Sequence, residues 1–137
     1  MLLNNPSREE IKEVLDNAKT IAVVGLSPNP NRTSYMVSEA MQKAGYRIIP
    51  VNPVADEVLG EKSYASIKEI PEPVDIVNVF RRSEFLADLA EEFLEIDCPV
   101  FWTQLNVVDD NVFKSLTEQG YTVIMDRCIK VEHAILK

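Results

Sequence analysis

Short apolar runs alternate along this chain with longer segments whose apolar residues recur at helical spacing. A continuous apolar run is typical of a strand that is buried on both faces of a parallel sheet. The run at 20–25 is of this kind, and it and four other short, mainly apolar runs predict strands at 20–25, 46–51, 74–80, 99–102 and 121–125. Between them, helices are predicted at about 7–18, 34–44, 83–95 and 109–120. This alternation predicts an α/β fold, a doubly wound sheet of about five parallel strands with helices on both faces.

The other segments are expected to carry little regular structure. The sequence predicts a loop at 52–65, a short helical turn at 66–70 and a short tail at 127–137. A chain of 137 residues without an internal repeat is long enough for one core and too short for two. We therefore expect a single domain over residues 1–137.

Doubly wound sheets bind ligands at the carboxyl ends of their strands, where the strand order reverses. The first strand in sequence normally lies beside that point. Gly25, Asn52 and Phe80 lie at or near the ends of the first three predicted strands. We expect these three positions to converge on a ligand site.

The charge of the chain restricts its partners. With 22 acidic and 14 basic side chains, the net charge of −8 disfavours nucleic acid and anionic lipid but is compatible with a small anion held in a local pocket. No apolar run approaches the about 18 residues of a membrane span. The first residues lack the pattern of an export signal, so we expect a cytoplasmic protein.

The sequence offers little for a metal site or a catalytic triad. His133 is the only histidine, and Cys98 and Cys128 lack metal-ligand spacing. No metal site and no catalytic residue are predicted. Cys98 is expected to be a small buried side chain. Cys128 lies beside Arg127 and near Lys130, charges that can make a thiol reactive.

The first strand-to-helix loop, within VVGLSPNPNRTSY at 23–35, has the residue types of a phosphate site. Gly25 allows a tight exit from the strand, and Ser27, Thr33 and Ser34 offer hydroxyl groups. Arg32 and the N–H groups of the following helix N-terminus suit a phosphate. A loop that only caps a helix explains the same residue types, so the residues alone leave both interpretations open.

This loop departs from the dinucleotide-binding pattern. The G-x-G-x-x-G fingerprint would place glycines at Ser27 and Pro30. Asn52 stands where an acidic residue would bind the ribose hydroxyls. A Walker lysine is also absent from the sequence.

Further polar side chains follow the later predicted strands. Arg81 and Arg82 follow the third, where they could bind a second anionic group or form a solvated pair at a helix start. Gln104 lies at the end of the fourth strand and could reach the same edge. Trp102, within that strand, is expected to be part of the core.

Four segments together resemble the small single-domain CoA-binding proteins, which are similar to the N-terminal CoA-binding domain of the succinyl-CoA synthetase alpha subunit. These segments are AVVGLSPNPNRTSY at 22–35, IIPVNP at 48–53, LGEKSYASIKEIPEPVDIVNVFR at 59–81 and MDRC at 125–128. The resemblance implies a Rossmann-like, nucleotide-binding domain that holds coenzyme A across the carboxyl edge of the sheet. One departure is Asn106, where family members often have glycine after the fourth strand.

The resemblance also implies which residues bind coenzyme A. Those expected to face the phosphates are Gly25, Ser27, Arg32, Ser34 and Tyr35. Those expected to line the rest of the site are Asn52, Pro53, Phe80, Arg81 and Gln104.

The leading hypothesis is a CoA-binding module, without catalysis of its own, that senses, stores or presents CoA or an acyl-CoA. Because CoA carries a thiol, a mixed disulfide between CoA and Cys128 is a further hypothesis. The alternatives are a subunit or partner of an acyl-CoA ligase or transferase, a nicotinamide or flavin nucleotide binder, and an interaction domain. The sequence leaves open a homodimer or another protein partner.

Overall fold

The computed structural model describes residues 4–137. Its strands are β1 (Thr20–Val24), β2 (Arg47–Val51), β3 (Glu57–Val58), β4 (Glu61–Lys62), β5 (Ile76–Val79), β6 (Val100–Thr103) and β7 (Thr122–Ile124). Its α-helices are α1 (Arg8–Asn17), α2 (Thr33–Lys43), α3 (Leu86–Phe93), α4 (Asp110–Glu118) and α5 (Ile129–Leu136). Two 3₁₀ turns cover Ile67–Glu69 and Ser83–Phe85.

Five strands form one parallel sheet in the order β2-β1-β5-β6-β7. After β1 the chain forms β2 on one side of β1 and then β5 on its other side, so the strand order reverses between β1 and β5. The predicted doubly wound, Rossmann-like sheet with flanking helices is confirmed. In this topology the carboxyl ends of β1 and β5 open a crevice between the diverging connections.

Apolar side chains cover both faces of the sheet. In β1, Ala22 and Val24 belong to one buried cluster, whereas Ile21 and Val23 belong to the other. Helices α3 and α4 contribute side chains to the first cluster, and α1, α2 and α5 contribute side chains to the second. Because successive strand residues point to opposite faces, a continuous apolar run is what two covered faces require.

The predicted tail at 127–137 is wrong, because it contains α5. Ile129 is fully buried, and the helix packs against α1 and α2. Eight residues give too few turns for the apolar spacing to stand out from the sequence. Tertiary packing, rather than periodicity, stabilises this helix.

The predicted loop at 52–65 also contains structure that the sequence did not reveal, since β3 and β4 form a small antiparallel hairpin. Leu59 and Gly60 connect them with φ of 55° and 77°. Positive φ at both central residues is the property of a type I′ turn, which usually contains Asn-Gly or Asp-Gly. Because leucine stands at the first position here, the sequence did not indicate this turn.

Trp102 and Cys98 are buried core residues, as expected. Trp102 is fully buried, and its Nε1 donates to the Arg127 carbonyl at 2.8 Å. Cys98 is 3% exposed, and burial raises the pKa of its thiol from 9.0 to about 12.

The raised pKa of Cys98 predicts a loss of stability at alkaline pH. The unfolded thiol releases its proton near pH 9, whereas the folded thiol keeps it to about pH 12. The unfolded state therefore binds fewer protons in this window, and the free energy of unfolding falls as pH rises. Urea unfolding should show the stability gap between wild type and Cys98→Ala narrowing from about pH 8 to about pH 10.5. A gap that is constant with pH would contradict this assignment.

Candidate functional site

The loops that follow β1, β2 and β5 meet at the carboxyl edge of the sheet. Gly25 N–H donates to the Val51 carbonyl at 2.9 Å, and the Asn52 amide donates to the Leu26 carbonyl at 3.0 Å. Phe80 N–H donates to the Val24 carbonyl. The predicted convergence of Gly25, Asn52 and Phe80 is therefore present in the structure.

The loop between β1 and α2 is braced by its own polar groups. Ser34 Oγ accepts a hydrogen bond from Ser27 N–H at 3.0 Å, and Ser27 Oγ accepts one from Asn29 N–H at 3.1 Å. Asn29 Oδ1 in turn accepts from Asn31 N–H at 2.9 Å. Ser34 is buried, so its hydroxyl group holds the shape of the loop. These internal hydrogen bonds restrict the conformations of the loop, which reduces the entropy lost on binding.

The N-terminus of α2 is open to an anion. Arg32 is the N-cap and makes no side-chain capping bond, and the first turn has no acidic residue. By contrast, Ser7 caps α1 and Asp109 caps α4, and both of those helices carry acidic residues in the first turn. The positive end of α2 and its first N–H groups are therefore available to a negatively charged ligand.

A cavity of about 390 Å³ lies at this helix end. Its lining consists of Gly25, Ser27, Asn31, Arg32, Thr33, Ser34 and Phe80. Backbone N–H groups, hydroxyl groups and one guanidinium group therefore surround a space that suits phosphate.

A second cavity of about 500 Å³ adjoins the first, since Thr33 and Phe80 line both. Its remaining lining residues are Arg81, Arg82, Ser83, Gln104, Leu105, Asn106, Val107 and Cys128. Together the two cavities form a cleft that follows the carboxyl edge from β1 across β5 to β6. This cleft has the size of a ligand site and combines apolar walls with a few polar groups.

Three arginines in the cleft make no ion pair with any residue of 4–137. Arg32, Arg81 and Arg82 are exposed, and all six ion pairs in that part of the chain involve other basic side chains. Arg81 lies over the Phe85 ring, with its Cζ 5.1 Å from the ring centroid. In a chain with a net charge of −8, unpaired cations gathered at one cleft favour an anionic ligand.

Gln104 lines the larger cavity, and two hydrogen bonds fix its position. Its Nε2 donates to Asn78 Oδ1 at 2.6 Å, and its backbone N–H donates to the Val79 carbonyl at 3.2 Å. Both Gln104 and Asn78 are buried. The amide of Gln104 is therefore fixed in position at the cavity wall.

Two left-handed residues shape the far end of the cleft. Asn106 and Asp126 have φ of 67° and 61°, and Asp126 Oδ1 accepts a hydrogen bond from Asn106 N–H at 2.7 Å. Asp126 N–H also donates to Thr103 Oγ1 at 3.3 Å. Asn106 thus adopts the left-handed backbone conformation that glycine adopts most readily and that asparagine tolerates.

Substitutions at Asp126 should distinguish two contributions to stability, that of its hydrogen bond and that of its positive φ. Asp126→Ala loses the bond to Asn106 and places alanine at positive φ, so we expect a loss of about 1–3 kcal/mol in the free energy of unfolding. Asp126→Gly loses only the bond, and Asp126→Asn keeps an acceptor and tolerates positive φ. Urea unfolding should rank the losses Ala, then Gly, then Asn. Equal losses for Ala and Asn would contradict this role.

The cleft contains most, but not all, of the residues predicted for the ligand site. Those that line it are Gly25, Ser27, Arg32, Ser34, Phe80, Arg81 and Gln104. Tyr35, Asn52 and Pro53 line neither cavity. Tyr35 packs against the core cluster on the α2 face, and Asn52 holds the loop through the Leu26 carbonyl.

Sequence reasoning did not assign several other lining residues to the site. These are Asn31, Ser83, Leu105, Asn106 and Val107. The loop after β6 supplies three of them. Its position next to a strand end was a usable signal, but its course depends on the contact with Asp126, which is remote in sequence.

Comparison with known proteins identifies the family. Residues 19–134 match the CoA binding domain family. The chain belongs to this family. The match spans all five strands of the parallel sheet and every residue that lines the cleft. The resemblance inferred from the four sequence segments is therefore confirmed.

Two known proteins are similar to nearly the whole chain. The uncharacterized protein YneT of Bacillus subtilis (strain 168) is 62% identical over 135 residues, which cover 98% of this chain and 100% of YneT. The solved structure of cell-free ID.343 from Thermus thermophilus is 37% identical, with a TM-score of 0.92, and the match covers 96% of this chain and 100% of that chain.

Part of this chain is also similar to part of a ligase subunit. The acetate–CoA ligase (ADP-forming) II subunit alpha of Pyrococcus furiosus is 37% identical over 71 residues. This match covers 51% of the present chain and 16% of the ligase subunit. The similarity is therefore to one segment of a much longer protein.

None of the helices in residues 4–137 combines the length and apolar character that a membrane span requires. Within the same residues, no group of three or more His, Cys, Asp and Glu side chains is placed to hold a metal ion.

Proposed function

We propose that this protein binds coenzyme A, free or acylated, in the cleft at the carboxyl edge of the sheet, as a binding module that carries out no catalysis by itself. The observation that carries this proposal is a cleft with three arginines that make no ion pair within residues 4–137: Arg32 at the N-terminus of α2, and Arg81 and Arg82 in the adjoining larger cavity. Membership of the CoA binding domain family supports the choice of ligand.

The two cavities suit the two chemical parts of CoA. The smaller cavity, with Arg32 and the α2 N-terminus, provides the donors for the phosphates. The larger cavity, with Leu105 and Val107 in its walls, suits the less polar pantetheine arm. Gln104 offers a fixed amide that can pair with an amide of that arm.

A nicotinamide dinucleotide fits this cleft less well. Asn52 follows β2 where a carboxylate would bind the ribose, and its amide is already bonded to the Leu26 carbonyl. The loop after β1 has one glycine, Gly25, rather than three. CoA does not require either feature, because donors and arginines can bind its phosphates.

Thermal unfolding under reducing conditions tests this proposal. CoA at about a hundredfold excess over its dissociation constant should stabilise the protein by about 2.7 kcal/mol and raise the midpoint by on the order of 10 °C. Acetyl-CoA should act similarly, whereas NAD and FAD at the same concentration should leave the midpoint unchanged. A shift with NAD alone, or no shift with CoA, would contradict the proposal.

A second candidate function is partnership with an acyl-CoA ligase, which the 37% identity to the ligase alpha subunit over 71 residues favours. In this role the chain would supply the CoA site and another polypeptide the chemistry. Acetate-dependent ADP formation from CoA and ATP should then require a second subunit. Turnover by this chain alone would contradict the non-catalytic role.

A further inference from the structure

We propose that Cys128 exchanges with CoA disulfide and holds one CoA molecule as a mixed disulfide in the larger cavity. This inference rests on the proposed CoA binding and adds a redox-dependent covalent step to it. The co-reactant is the symmetric disulfide of CoA, a small disulfide that carries the same nucleotide on each side.

Cys128 is the cysteine that the cleft exposes to a ligand. It is half-buried and lines the larger cavity together with Arg81 and Gln104. Cys98 is 3% exposed, and burial raises its pKa to about 12. Cys98 precedes β6, so it lies at the opposite, amino edge of the sheet. Only one of the two thiols is therefore placed to react with a ligand in the cleft.

The order of groups along the cleft brings a thiol-bearing ligand to this cysteine. CoA is a linear molecule whose phosphates lie between its adenosine and the arm that ends in the thiol. With the phosphates at Arg32, after β1, the arm crosses β5 towards the loop after β6, two strand spacings or roughly 10 Å away. Cys128 lines the cavity at that end. The direction of the arm is inferred from the position of the phosphate site, independently of the position of Cys128.

Positively charged groups lie around Cys128. It is the N-cap of α5 and makes no side-chain capping bond, so Cys128 lies at the positive end of the helix. Arg81 and Arg82 line the same cavity. The same positive charges attract the phosphates of the incoming disulfide.

The step is a thiol–disulfide exchange. The Cys128 thiolate attacks one sulfur of CoA disulfide, the Sγ–S bond forms and the original S–S bond breaks. The departing CoA thiolate takes up the proton that Cys128 released and leaves as free CoA. One disulfide is consumed and one is formed, so no other oxidant is required.

Intact-mass measurements of the full chain with CoA disulfide, without reductant, test the step. We expect a gain of one CoA less two hydrogen atoms, reversed by dithiothreitol, in wild type and in Cys98→Ser. Cys128→Ser and Cys128→Ala should gain nothing, with folding checked by their thermal midpoints. Prior binding in the cleft should make CoA disulfide react at least about tenfold faster than glutathione disulfide at equal concentration. Acetyl-CoA, whose sulfur is blocked, should occupy the cleft and slow the reaction with CoA disulfide but not the reaction with glutathione disulfide.

The outcomes separate this inference from the proposed function. If CoA raises the thermal midpoint but CoA disulfide does not modify Cys128, or reacts no faster than glutathione disulfide, then the covalent step is overturned and CoA binding is retained. If CoA produces no thermal shift at all, the proposed function itself fails.

Discussion

Gly25→Ala is expected to destabilise the fold by roughly 2–5 kcal/mol and to abolish CoA binding. Gly25 has φ of 85°, and a Cβ at this position would lie 2.6 Å from the Phe80 carbonyl oxygen. The added atom would meet the backbone of the loop after β5, which cannot move aside as a flexible side chain can. Relief of the clash therefore requires β1 and β5 to separate at the point where the cleft begins.

Two other glycines provide matched controls for Gly25→Ala. Gly45 and Gly120 also have positive φ, at 108° and 95°, but a Cβ at either would meet nothing within 4 Å. Alanine there incurs the backbone strain without the clash, so we expect losses of about 1–2 kcal/mol and unchanged CoA affinity. Urea unfolding measures the three variants side by side. Equal losses at Gly25 and Gly45 would show that the close approach to Phe80 is unimportant.

Replacing both Arg32 and Arg81 by alanine is expected to weaken CoA binding by at least about a hundredfold. Each arginine can make charge-assisted bonds to phosphate, and hydrogen bonds to charged groups are worth about 1.5–3 kcal/mol each. Every 1.4 kcal/mol corresponds to about a tenfold change in affinity. Neither side chain has an ion-pair partner within residues 4–137, so their removal should leave the stability of the unliganded protein nearly unchanged.

Arg47→Ala is the control for charge alone. Arg47 begins β2 at the amino edge of the sheet and pairs with Glu72 at 2.6 Å. Titration calorimetry with CoA should show that this variant binds like wild type, with the large loss confined to the variant that lacks Arg32 and Arg81. Similar losses in both proteins would indicate a general effect of charge, and no loss in either would place the phosphates elsewhere.

The sequence predicted the layers of this fold because the main strands are buried on both faces. The run 21–25 contains no polar side chain, and 74–80 is apolar except for Asp75 and Asn78. The short helix α5 and the hairpin of β3 and β4 escaped prediction for different reasons. Helix α5 depends on packing against α1 and α2, and the hairpin turn places leucine where asparagine is usual.

Part of the cleft was also predictable, since loops that follow parallel strands meet at one edge. Gly25, Phe80 and Gln104 were found in this way. The course of the loop after β6 was not predictable, because a hydrogen bond between Asn106 and the distant Asp126 fixes it. Strand ends therefore show where a site lies, but contacts that are remote in sequence determine its walls.

The central claim is that CoA binds along the carboxyl edge of the sheet, and backbone amide NMR during a CoA titration tests both the ligand and its place. Under reducing conditions, we expect chemical-shift changes at the amides of Ser27, Thr33 and Gln104 that saturate together. Asp75 and Thr122, which line a cavity near the amino edge, should remain unchanged. If saturating CoA leaves the cleft amide signals unchanged, or shifts the amino-edge signals instead, CoA does not bind at the carboxyl edge.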